Sequence, residues 1–523
     1  MTPEDLADPI WRLHNLYTCK RAEDGRVVPF VPRPEQSEVY DRLLRQGQRR
    51  LIILKARRLG MSTAIDIMLA DQTAWNSGMQ CSIVDQTAAD AERKLSTIVK
   101  VALDGLPEDF KGRIKYTKDS GSILEMAVAD DTSSGVFAGL RARGGTNNFL
   151  HLSEWGVIQA DDPRRSEEIL TGAIPSAEHG TIVVETTWKG GKGGHLWKLV
   201  KEAMETPDEA KTEKDWRLLF FPWWTDPTYS IEGDPKTISP ENLRYLRELQ
   251  PHLPVQLTPG QAIWYDRQQK QLGIFMFREF PSTIEECFRA PIEGAIYADA
   301  IGKLRAQGAI QPMAVDGTAL VHTFWDLGSP TNTVTWYVQL IGNEIRVIDC
   351  DMDLDMTITE RVAHILAKGY NLGFHYLPHD AGSTPTSGRS VNQELQDSGL
   401  KNTRLIPRTI DIWIGINRLR QLLPRFTFRL PACEEGVNAL ENYHTKRESS
   451  GGIAQDLPVH DWSSHASDAL RMLAEAEAAN LLEGGSQVAR MAKRRRRPQV
   501  LTGLSDDQSD RPRSRIDAIL GLE

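Results

Sequence analysis

The sequence has no run of about 18 uninterrupted apolar residues, the length a membrane-spanning helix needs, and no C-x-x-C pair. Its five cysteines, Cys19, Cys81, Cys287, Cys350 and Cys433, stand singly. That suits a reducing compartment and argues against a structural zinc site. The first ten residues carry acidic side chains and no apolar h-region, so no secretion signal is expected. A surplus of positive charge is also missing, since the formal net charge is −9. Net charge speaks to solubility, and a local basic groove can coexist with it. Nucleic-acid binding therefore stays open. No internal repeat is evident.

What is present is a globular composition, 40% hydrophobic and 25% charged over 523 residues, enough for about two to four domains with large cores. Short apolar runs at 51–54, 81–84, 149–152 and 181–185 alternate with helical patterns. This predicts a parallel sheet covered on both faces. Pro222-Trp223-Trp224-Thr225-Asp226-Pro227 breaks the pattern, and the chain is then helix-rich to about Ile310. A second α/β unit starts near Leu320, with strands at 321–325, 333–340 and 344–349, a helix at 357–368 and a strand at 375–377. Beyond Ala479 the composition shifts, and the runs at 493–498 and 505–510 read as a mobile charged tail ending in a short partner-binding helix at 516–520.

The most informative segment is 51–63, where an apolar run ends in the basic, glycine-containing turn Lys55-Ala56-Arg57-Arg58-Leu59-Gly60 and Ser62-Thr63 opens an amphipathic stretch. Strand, loop and helix N-terminus in that order form a phosphate cradle. The pattern departs from G-x-x-x-x-G-K-[ST], because Lys55 holds the first Gly position and Met61 the Lys position. Lys55, Arg57 or Arg58 must then supply the cation, and Ser62 the Mg²⁺-ligand hydroxyl. Four other features fit ATP. Gln36, after Pro34-Glu35, can read an adenine edge as donor and acceptor together. Glu154 ends a strand, where an ATPase keeps the carboxylate that orients the attacking water, though Ser153 stands where an Asp is more usual. Thr186 and Thr187 end another strand and could sense the γ-phosphate. Arg143, or Arg141, lies in a loop from which an arginine can stabilise transition-state charge. Each is ambiguous alone, since strand ends and loops carry such residues for solubility; their order and spacing together are informative.

In the second unit, Asp326 ends the first strand, Asp380 follows a later one and Asp468 opens a late helix. One acid at each of these places is the RNase H-like arrangement, which can hold two Mg²⁺ or Mn²⁺ ions about 3.5–4 Å apart. Asp461 and Asp349 are reserve ligands, and His379 and His465 are candidates for proton transfer.

Taken together, 9–17, Pro34-Glu35-Gln36, the variant cradle, His151-Leu152-Ser153-Glu154, Glu185-Thr186-Thr187, 278–283 and the three aspartates resemble the large subunit of tailed-phage terminases. The resemblance covers nearly the whole chain. It implies an ASCE/RecA-like P-loop ATPase core at 1–225, a helix-rich lid or linker at 226–310, an RNase H-like nuclease at 311–480 and a charged flexible tail at 481–523. It further implies that ATP hydrolysis drives double-stranded DNA into a capsid and that a two-metal endonuclease cuts concatemeric DNA. By the same resemblance, Lys55 and Ser62 are the phosphate and Mg²⁺ pair, Glu154 the catalytic carboxylate, Thr186 or Thr187 the coupling element, and Arg143 or Arg141 a trans-acting finger. Implied partners are DNA, the portal protein, a small terminase subunit and further copies in a ring, typically a pentamer, on the portal in the host cytoplasm, with no membrane. Ser153 and Asn332 depart from the family pattern, each standing where relatives have an acid. Two other readings remain: a helicase-like translocase with a silent nuclease domain, and a non-enzymatic DNA or capsid adaptor.

Overall fold

The computed structural model describes residues 2–482 apart from 113, 129–131, 143–144, 289–293, 329–331, 353, 384–387, 410 and 446–456. Arg143 and the tail segments at 493–498, 505–510 and 516–520 lie outside the described residues. After a small antiparallel hairpin, β1 (Thr18–Lys20) and β2 (Val27–Pro29), the chain builds two sheets. The eight strands of the first are β3 (Arg50–Lys55), β4 (Gln80–Val84), β5 (Ile114–Asp119), β6 (Ile123–Val128), β7 (Thr132–Gly139), β8 (Phe149–Ser153), β9 (Thr181–Thr186) and β10 (Arg217–Phe221).

Their spatial order is β10-β3-β9-β8-β4-β7-β6-β5. All neighbours from β10 through β7 run parallel, while β6 and β5 add an antiparallel edge. The expected parallel sheet is therefore mixed. The edge strand β5 reads Ile-Lys-Tyr-Thr-Lys-Asp and is exposed beyond its first residue. Its lysines keep an open edge soluble, and the same polarity hides it from an apolar-run search. Every residue of β3 is buried, as a central strand covered on both faces requires. Successive side chains alternate faces: Leu51 and Ile53 join one core, with the helix Met61–Trp75, and Ile52 and Leu54 join the other, with Trp155 and Trp188.

The second sheet holds β11 (Ile310–Gln311), β12 (Val321–Asp326), β13 (Val334–Ile341), β14 (Glu344–Asp351), β15 (Leu372–Leu377), β16 (Thr403–Leu405) and β17 (Phe426–Arg429), in the order β11-β17-β14-β13-β12-β15-β16. An antiparallel β12-β13-β14 meander is extended by parallel strands on both sides. The helix Ser464–Ala478 covers one face and Ile358–Ala367 the other.

Among the described residues, the helix-rich segment between the sheets has no core of its own. Tyr229, Leu246, Trp264, Tyr265 and Met276 complete one core of the first sheet and Cys287 and Phe288 the other, whereas Ile296, Tyr297, Ile301 and Leu304 belong to the second sheet. Among the described residues no helix is long and apolar enough to cross a membrane.

Candidate nucleotide and nuclease sites

The strand order puts the ends of β3, β9 and β8 side by side, with β9 between the other two. The loop at 56–60 leaves β3 through two left-handed residues, Arg58 (φ 60°) and Gly60 (φ 70°). A Cβ at position 60 would stand 2.7 Å from Gln36 Nε2, so a side chain there would displace that amide and strain the left-handed backbone. Gln36 Nε2 donates to the carbonyls of Leu59 (3.2 Å) and Gly60 (2.9 Å), and its Oε1 accepts the Arg33 N–H (2.9 Å). Both sides of the amide expected to read adenine are thus engaged in bracing the loop and capping the helix Pro34–Tyr40. The 15-residue helix Met61–Trp75 begins directly after Gly60. The N–H groups of Met61, Ser62 and Thr63 form its first turn and lack carbonyl partners within the helix. With the positive end of the helix dipole, they face an anion favourably.

Lys55 is buried and reaches the ends of both β9 and β8, 3.1 Å from Glu185 Oε2 and 3.2 Å from Glu154 Oε1. Burial pulls its pKa down, but Glu185 and Glu154 outweigh that and raise it, so the ammonium stays charged. Glu185 is fully buried. Its Oε1 accepts the hydroxyls of Ser62 and Ser153, each at 2.7 Å. His151 Nε2 lies 3.5 Å and Lys94 Nζ 3.7 Å from the same oxygen. Burial pushes this carboxyl up, yet Lys55, His151 and Lys94 hold it well below the usual carboxylate range. Lys94 in turn pairs with Asp85 (2.8 Å), and His151 Nδ1 with the buried Asp66 (2.7 Å). The sequence singled out Glu185 only as part of a strand end; its central position depends on β9 lying between β3 and β8.

Glu154 occupies a left-handed conformation (φ 54°, ψ 37°), which costs a non-glycine residue about 1–2 kcal/mol. Its Oε2 accepts the Thr187 N–H (3.0 Å) and the hydroxyls of Thr187 (3.2 Å) and Thr186 (3.3 Å). The candidate catalytic carboxylate and the candidate coupling threonines are therefore in direct contact. The loop cations lie elsewhere. Arg57 is exposed and pairs with Glu279, and Arg58 is exposed. Both line a cavity of about 600 Å³ with Tyr229, Trp264, Phe275 and Arg278. Arg141 is exposed and pairs with Glu168 at 3.1 Å.

In the second unit Asp326 ends β12 and pairs with His465 Nδ1 at 2.9 Å. Burial lowers the His465 pKa, but the Asp326 hydrogen bond and charge raise it overall. Asp468 lies one turn further along the helix Ser464–Ala478 and pairs with Arg471 at 3.0 Å. Its carboxyl is raised by burial and, against the pull of Arg471, by the nearby charge of Asp326. Asp380 is exposed in the turn His379–Gly382 after β15, the parallel neighbour of β12. The strand ends are shared, yet among the described residues no three His, Cys, Asp or Glu side chains form a cluster able to hold a metal ion. Asp461 lies in the turn before the helix rather than in it and is buried against Ser463. Asp349 is engaged by Lys368 (2.8 Å) and Tyr370 (2.9 Å).

The two units touch at the glycine-rich loop that follows β9. A Cβ on Gly193 would stand 2.3 Å from the Trp462 indole, and Trp462 shortly precedes the helix carrying Asp468.

No family model matches the sequence, and no curated protein does. Among solved structures the chain is similar to the HK97 bacteriophage large terminase, at 13% identity and TM-score 0.44, covering 92% of this chain and 100% of that one. Two more solved structures that it resembles are also large terminases. A second is the large terminase nuclease from thermophilic phage G20c with bound magnesium, at 15% identity, TM-score 0.26, 35% of this chain and 98% of that one. A third is the large terminase of another thermophilic bacteriophage in complex with ADP, at 14% identity, TM-score 0.32, 84% of this chain and 98% of that one.

Proposed function

We propose that the chain is the motor subunit of a viral DNA-packaging machine, one that hydrolyses ATP to move double-stranded DNA into a capsid and cuts that DNA with a metal-dependent endonuclease. The observation that carries this reading is the convergence of Lys55 and Glu154, at the ends of β3 and β8 on either side of β9, with Ser62 in the first turn of a long helix. An anion at that helix end would meet first-turn N–H groups and a buried ammonium in a site of low dielectric, where both act strongly. Lys55, rather than the exposed Arg57 or Arg58, is the phosphate cation. Ser62 would hold Mg²⁺, which supplies charge neutralisation of the β- and γ-phosphates. Glu154 orients and deprotonates the attacking water, and Thr186 and Thr187 report its state through their shared hydrogen bonds.

For the nuclease, Asp326 and Asp468 would hold the metal, with Asp380 at the neighbouring strand end as the third candidate. Carboxylate oxygens suit hard, octahedral Mg²⁺ or Mn²⁺. Basic side chains would contact the DNA backbone without reading sequence. The portal protein, a small terminase subunit and a ring of like subunits at the procapsid in the host cytoplasm complete the machine.

A double dissociation tests the reading. Glu154→Gln should abolish ATP turnover and leave Mn²⁺-dependent plasmid cleavage, and Asp326→Ala should do the reverse. Loss of both activities in either folded variant would refute the two-site assignment. Because Asp380 is exposed and no three-ligand cluster forms among the described residues, the second reading is a translocase whose nuclease domain is silent. Intact plasmid after incubation of the wild-type protein with Mn²⁺ would favour it.

A further inference from the structure

The strand that should supply the Mg²⁺-holding acid of an ATP site ends in a serine. Ser153 is fully buried at the end of β8, paired in register with Glu185 of β9, and its hydroxyl donates to Glu185 Oε1 at 2.7 Å. That same oxygen accepts the hydroxyl of Ser62, the candidate Mg²⁺ ligand of the cradle, also at 2.7 Å. We propose that Glu185 has taken over the missing carboxylate's work: with Ser62 it anchors the Mg²⁺ of bound Mg-ATP, and Ser153 is the positioning residue that aims it. This rests on the nucleotide-site reading and deepens it.

Three observations carry the assignment. The first is reach. β9 is the direct neighbour of β3, the strand that leads into the cradle, whereas β8 lies one strand further away. An acid on β9 is therefore closer to Ser62 than one on β8, and the swap leaves a hydroxyl where the displaced carboxylate would have crowded Glu185. The second is an under-used oxygen. Glu185 Oε2 is buried, and among the described residues only the Lys55 ammonium, 3.1 Å away, pairs with it. Phosphate oxygens arriving at the helix N-terminus would draw Lys55 toward themselves and leave that oxygen to a cation. The third is donor chemistry. Mg²⁺ bound with a nucleotide keeps several waters and takes one or two protein oxygens besides the phosphates, so one hydroxyl and one carboxylate suffice, and no larger acidic cluster is needed.

A purely structural role for Glu185, as counter-ion to Lys55 and Lys94, makes a different prediction. It would weaken nucleotide binding equally with and without metal. The test is titration of the full chain with a fluorescent ATP analogue in Mg²⁺ and in EDTA, with Mn²⁺ binding followed by electron paramagnetic resonance. Wild-type protein should bind the analogue more tightly with Mg²⁺. Glu185→Gln should lose about 10-fold or more of that metal-dependent gain while its EDTA affinity stays near wild type. Ser153→Asp combined with Glu185→Gln returns the acid to β8, should recover the gain and the Mn²⁺ signal, and keeps the site charge if the single variant does not fold. A full Mg²⁺ gain in folded Glu185→Gln, or none in the folded double variant, would overturn the assignment. No binding of the analogue by wild type under either condition would overturn the nucleotide reading itself, and this one with it.

Discussion

The carboxylate of Glu154 accepts the backbone N–H of Thr187 at 3.0 Å. The residue that would activate water is thereby fixed to the strand end that would sense the phosphate. Glu154→Gln keeps the size and one acceptor oxygen but cannot take a proton. ATP turnover should fall about 10²–10⁴-fold, the usual contribution of a general base, with little change in nucleotide affinity, as read by steady-state kinetics and equilibrium binding.

Lys55 neutralises Glu185, which is 0% exposed. Lys55→Ala should therefore remove phosphate binding and also destabilise the fold, by less than the ~3–5 kcal/mol of a fully unpaired buried charge, because Lys94 and His151 still face Glu185. Adding Glu185→Gln should recover much of that stability without restoring binding. Urea unfolding of the three variants checks the order; equal stability of Lys55→Ala and wild type would contradict the burial argument.

Gly60→Ala meets two penalties, a left-handed backbone worth about 1–2 kcal/mol and contact with Gln36 Nε2 at 2.7 Å. Combining it with Gln36→Ala relieves the second only. The double variant should lose less stability than the two single variants summed, measured by thermal unfolding.

His375 is buried on β15 beside Thr323 Oγ1, 2.8 Å from its Nδ1, and burial lowers its pKa to about 4. An unfolded chain takes up this proton near pH ~6.5. Between those values the unfolded state binds more protons, so stability is fully present above pH ~6.5 and falls as the pH drops toward 4, by up to about 1.4 kcal/mol per pH unit. His375→Asn should flatten the slope of the urea midpoint against pH in that window.

The nearby charge of Asp326 helps to raise the Asp468 carboxyl, whereas Asp380 stands exposed in its turn. Asp468→Asn should abolish Mn²⁺-dependent plasmid cleavage and leave ATP turnover unchanged. Gel electrophoresis beside a coupled ATPase assay decides it.

The elements that bear the chemistry are legible because buried parallel strands read as plain apolar runs: β3, β4, β8 and β9 start or end within a residue or so of their apolar segments. The edge of the sheet is not, because the exposed β5 carries Lys, Thr and Asp. The site follows the same divide. Lys55, Ser62 and Glu154 are close to one another because each ends or follows a strand. Glu185 needs the spatial order β3-β9-β8, which no local pattern contains. Gln36 lies beside the loop, but the carbonyls of Leu59 and Gly60 occupy the amide expected to read adenine, a use that composition cannot reveal.

The hydrogen at Gly193 is all that separates the backbone of the loop after β9 from the Trp462 indole. Thr186 and Thr187 hold Glu154 at one end of that loop, and Asp468 rides on the helix that begins just after Trp462 at the other. The two candidate sites thus meet through close packing between the loop after β9 and the segment that leads into the helix of Asp468. Any side chain at position 193 would meet the indole at 2.3 Å, so either the loop that begins at Thr187 or the segment leading into the helix of Asp468 would have to give way, and a change made at one candidate site would register at the other.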